Sequence, residues 1–162
     1  MAPHWQEVQQ LFAVLAYTVK KADRDGMELI FTTPGREIRN KSSQPLAREL
    51  MKHEPNGTYD FENRLSSVLS KYAHKLTQWD SRRGIMSRFI SSSPPPPLNL
   101  YIFTNGIWHM TKAANPIKML VEKLIKLNLP HHQVGIQFIR FGNHPVGISQ
   151  LEFLDSKMGL TW

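Results

Sequence analysis

"LNLYIFTNGIW", residues 98 to 108, is apolar on both parities up to Phe103 and then changes abruptly to Thr104, Asn105 and Gly106. Apolar residues at odd and even positions predict a strand covered on both faces, as in a parallel sheet. Asn and Gly directly behind it predict a turn. In open α/β sheets ligands bind where strand C-termini open into loops, so Thr104 to Gly106 is the first place to look for chemistry.

Working outward, "VGIQFIRFG" from Val134 is a second two-sided strand. Between the two, "NPIKMLVEKLIKL" predicts a helix with Asn115 as N-cap, Pro116 at its first position, and Ile117, Leu120, Val121, Leu124 and Ile125 inward. Gln150 to Met158 supports a last helix with Leu151 and Leu154 inward. Upstream, Trp5, Val8, Leu11, Phe12, Leu15 and Val19 form an apolar stripe on an amphipathic helix. A polar turn at Asp23 to Gly26 leads into an apolar run, Met27 to Phe31, expected to be a strand. Residues 34 to 43 are expected to be a loop, and Pro45 to open a short helix burying Leu46, Leu50 and Met51. From Thr58 another helix presents Phe61, Leu65, Val68, Leu69 and Tyr72 on one face. Residues 79–97 are expected to be an irregular basic, proline-rich loop, with Arg82, Arg83 and Arg88 ahead of four prolines that favour polyproline II.

Helices alternating with apolar strands predict an α/β sandwich on a mainly parallel sheet. The length, 162 residues, predicts one domain over 1–162 with a real core. The net charge of +7 favours encounter with acidic partners, whether nucleic acid, anionic membrane or acidic protein. With no cysteine, disulfides, thiolate metal sites and cysteine nucleophiles are excluded. Neither a signal peptide nor a membrane-spanning apolar run is visible, so an intracellular, cytoplasmic protein is the default expectation.

Enzyme motifs fare poorly. Neither G-x-G-x-x-G nor G-x-x-x-x-G-K-[ST] occurs. "GISQL" at Gly147 departs from the G-x-S-x-G nucleophile elbow at its last position. His131 and His132 are adjacent and the other histidines scattered, so no helical metal pair exists. "DRDG" fails as a calcium loop, because Lys21 and Thr32 would occupy the first and last ligand positions. Arg82, Arg83 and Arg88 suit phosphates, but with no aromatic platform beside them a solvated basic loop is the simpler reading. Taken alone, Thr58 is a helix N-cap and Asn105 a turn residue.

The succession "YTVKKADRDGMELIFTT", "EPNGTYDFENRLSSVLSKY", "LNLYIFTNGIW", "VGIQFIRFG" and "LEFLDSKMG" resembles a von Willebrand factor type A domain, most like the intracellular vWA-like proteins common in fungi. That resemblance implies a Rossmann-like three-layer α/β/α sandwich with a metal-ion-dependent adhesion site. Three loops build such a site: Asp-x-Ser-x-Ser, a threonine, and an aspartate in Thr-Asp-Gly, with an acidic residue of the partner completing Mg²⁺. By position Thr58 matches the threonine, and Asn105 stands where the aspartate should be. An amide oxygen still ligates a hard cation but carries no charge. The first loop has no counterpart, since the chain opens on the helix expected to follow it. The first central strand of the sheet is therefore expected to be missing.

The resemblance thus implies a non-catalytic protein-interaction module with a degenerate adhesion site and absent or weak Mg²⁺ binding. A protein partner would dock through an acidic residue or by strand addition beside the gap. The alternatives are a basic nucleic-acid-associated module using Arg82 to Arg88 and the lysines of 118 to 126, a hydrolase by fold analogy alone, or an incomplete gene product with no independent function.

Overall fold

The computed structural model describes residues 1–23, 25–33, 37–56, 59–86, 93–108 and 110–157. It is a mixed α/β structure whose contacts divide the chain into two compact units, Met1–Asp60 and Phe61–Trp162.

In the second unit the decisive stretch is a strand as expected, and it pairs in parallel with the other two-sided run. Strand β3 (Leu98–Thr104) and strand β4 (Val134–Arg140) run in register from Leu98 opposite Val134 to Thr104 opposite Arg140. Helix α3 (Phe61–Met86) and helix α4 (Met110–Lys126) pack on each other. Their apolar stripes, Phe61, Leu65, Leu69, Tyr72 and Leu76 on one and Ala113, Ile117, Leu120, Val121 and Leu124 on the other, form one buried cluster. One parity of each strand packs on it, Leu98, Leu100 and Ile102 with Val134, Ile136 and Phe138. The other parity, with Tyr101, Phe103 and Ile139, is only partly buried and lies outside that cluster.

Four local expectations are corrected here. Residues 79–86 are not irregular, because α3 continues to Met86, ten residues beyond its last core residue, Leu76. Its stripe period simply carries on into polar sequence, and helix propagation adds a hydrogen bond per residue once nucleated. Asn115 is not an N-cap and Pro116 lies inside α4. Ala113, fully buried, holds the preceding turn in the core, so packing overrides a start signal that is strong locally. Ile125, placed inward by periodicity, is 48 % exposed. The last helix, α5 (Pro145–Glu152), begins five residues before Gln150. His144 caps it, its ring nitrogen accepting from Val146 N–H, and Pro145 occupies the first turn where its missing N–H costs nothing. A π-type turn, Phe153–Lys157, follows, and Leu151 and Leu154 pack on the core as expected.

The first unit is built on helix α1 (Trp5–Val19), helix α2 (Ser43–Lys52) and a small hairpin. Asp23 takes Asp25 N–H and Gly26 N–H on its carboxylate, and Gly26 adopts φ +96°, which confirms "DRDG" as a turn. The strand after it, β1 (Met27–Leu29), pairs antiparallel with β2 (Ile38–Asn40). A strand thus stands inside the stretch expected to be loop, and where a mainly parallel sheet is expected the described residues form one parallel and one antiparallel strand pair. Ile38, half-buried against Leu29, Phe31, Leu46 and Leu50, supplies the reason: three residues suffice once one side chain reaches the core. Met51 is 60 % exposed and Leu11 39 %, so the predicted stripes are wider than the surface they cover.

Candidate functional site

Two places in the second unit gather chemistry. The first is the end of β3. Thr104, buried, accepts Gly106 N–H on its hydroxyl at 3.0 Å, and Asn105 accepts Ile107 N–H on its side-chain oxygen at 3.2 Å. Gly106 closes the turn at φ +79°, a conformation that L side chains rarely adopt. Helix α5 then clamps the loop. Gln150 accepts Trp108 N–H (3.2 Å) and donates to the Trp108 carbonyl (2.8 Å), an amide reading a backbone from both sides. Trp108 lies between the rings of Phe61 and Phe138, at 4.9 and 5.7 Å, and its buried indole N–H has no acceptor among the described residues.

Asn105 therefore sits in the turn at the end of β3, and its side-chain oxygen serves that turn. Arg140, the register partner of Thr104, sends its guanidinium to the Gly142 carbonyl and to Asn143 at the same rim. Thr58 lies outside the described residues, so its place relative to Asn105 has no structural statement. Among the described residues no group of three or more His, Asp or Glu side chains is disposed to hold a metal ion.

The second place was missed by sequence reasoning. Because residues 79–86 are helical, Lys75, Gln78, Trp79 and Arg82 fall at i, i+3, i+4 and i+7, on one face of α3. They line an open groove of about 410 Å³ whose opposite wall is Ser93 to Pro96. Arg83 lies over the Trp79 ring at 5.5 Å. The proline wall is tied to the body. Tyr72 donates its hydroxyl to the Pro96 carbonyl at 3.0 Å, and Gln133 donates to the Pro95 carbonyl and to the Tyr72 oxygen, both at 2.7 Å. Burial pushes the Tyr72 phenol above the usual tyrosine range, against the opposing hydrogen bond from Gln133. The aromatic platform said to be absent beside the arginines is thus Trp79, and the signal that finds it is the α3 period carried past Leu76. Arg88 lies outside the described residues.

No family model, no curated protein and no solved structure matches the chain. Among the described residues no helix is long and apolar enough to cross a membrane.

Proposed function

We propose that the chain is a protein-interaction module of the von Willebrand factor type A kind, without catalysis, whose adhesion-site loop has become a structural turn. The observation that carries this reading is the β3–β4 ladder. It is a two-stranded parallel sheet, whereas parallel strands are ordinarily flanked and covered on both faces. Such a pair is marginal in isolation, and among the described residues of this unit no further strand pairs with its outer edges. A partner strand added there would extend the parallel sheet towards that of a Rossmann-like three-layer sandwich. The use of Asn105 as a turn acceptor, with Arg140 at the same rim, supports a site that no longer relies on Mg²⁺.

Sedimentation velocity over a wide range of protein concentration, with Mg²⁺ or with a chelator, tests both halves. The expected result is concentration-dependent self-association through the open edge that Mg²⁺ leaves unchanged. A monomer at every concentration that unfolds cooperatively would contradict the open edge. Saturable micromolar Mg²⁺ binding, followed by tryptophan fluorescence and lost in Asn105→Ala, would contradict the degenerate site.

A further inference from the structure

We infer that the groove between α3 and the proline wall binds single-stranded nucleic acid, holding one nucleotide with its base on Trp79 and its phosphates on Lys75 and Arg82. Its volume, about 410 Å³, is that of a small-ligand cleft and takes a nucleotide rather than a duplex. Its lining is of one sign: Lys75 and Arg82 face it, both on exposed stretches of helix, and no acidic side chain is among its lining residues. That suits a phosphate backbone, in a chain whose net charge is +7. An acidic peptide would satisfy the same two cations but would leave the remaining surface unused. Trp79 and Pro94 to Pro96 present flat apolar surface, and every nucleobase offers a π-face to it. Arg83 over the indole adds a cation that extends the stacking platform. Gln78, also in the lining, brings an amide able to donate to and accept from a base edge.

The groove is preformed. Tyr72 and Gln133 hold the carbonyls of Pro95 and Pro96, so the wall stands without a ligand and little ordering remains to be done on binding. This inference is independent of the strand-edge proposal, which uses other residues and a different readout.

The test is fluorescence anisotropy of the whole chain with a labelled oligothymidine single strand, repeated across salt concentrations. Saturable binding is expected at low salt, weakening as salt rises. Trp79→Ala should weaken it on the order of tenfold or more, and Trp79→Phe should restore most of the loss. Lys75→Gln with Arg82→Gln, both exposed and harmless to folding, should lower the logarithmic salt slope by about 1.4, roughly 0.7 for each lost phosphate contact on a single strand. No binding up to about 100 µM protein, the weak end of non-specific affinity, would overturn the inference. So would binding that these variants leave intact, a duplex of the same length binding more tightly, or displacement by polyglutamate at charge-equivalent concentration.

Discussion

Gly106 and Gly147 meet backbone to backbone: a Cβ added to Gly106 would lie 2.6 Å from Gly147 Cα, and one added to Gly147 would fall into the Asn105 carbonyl oxygen. The contact is what lets α5 approach closely enough for Gln150 to clamp Trp108. It also gives "GISQL" its role, since Gly147 is a spacer between a helix and a loop and not part of a nucleophile elbow.

From that contact, Gly147→Ala is expected to lower stability by about 1–3 kcal/mol through overpacking against backbone that has nowhere to move. Gly106→Ala should cost roughly 1–2 kcal/mol more, because its φ of +79° is strained for any residue with a Cβ. Urea unfolding followed by circular dichroism measures both. Variants as stable as the parent would show that loop and helix are not held at this distance.

Tyr72 links stability to alkaline pH. Its folded pKa is raised, so the native state keeps a proton that the unfolded chain has lost. The contribution is fully present below the ordinary tyrosine value near 10 and is lost as pH rises through the folded pKa. Tyr72→Phe should cost about 0.5–1.5 kcal/mol near neutrality, from the hydrogen bonds to Pro96 and Gln133, and should flatten the alkaline decline. Thermal unfolding of parent and variant between neutral pH and strong alkali checks the sign. An unchanged alkaline slope would remove Tyr72 from the linkage.

Pro116 stands inside α4, where a proline removes one helical hydrogen bond and crowds the preceding turn. Pro116→Ala should restore the N–H and raise stability by about 1–2 kcal/mol, after offsetting roughly 0.4–1 kcal/mol of entropy returned to the unfolded chain. Urea midpoints decide it. A less stable variant would place the start of the helix at Pro116 after all.

The stretches whose side chains repeat strongly were legible in the sequence. The parity of β3 and β4, the faces of α3 and α4, and the turns at Asp23 to Gly26 and at Asn105 all follow from local rules of side-chain spacing and backbone preference. Strand β2 was not, because three residues of mixed polarity carry no period, and only Ile38 reaching the Leu29 cluster makes them a strand. The continuation of α3 was not, because beyond Leu76 none of its described residues belongs to the buried core. The four prolines behind it favour an irregular stretch over residues 79–97, whereas α3 runs on to Met86.

What the sequence by itself determined is the set of apolar faces and the positive charge, since both are properties of residue type and spacing. Only the tertiary structure decided which strands pair, that Asn105 spends its oxygen on Ile107, and that Trp79 joins Lys75 and Arg82 before a proline wall. The reason is that pairing and pocket formation depend on distances between segments far apart in the chain. Tyr72 and Gln133 fix one such distance at the Pro95 and Pro96 carbonyls, and no pattern local to either stretch encodes it.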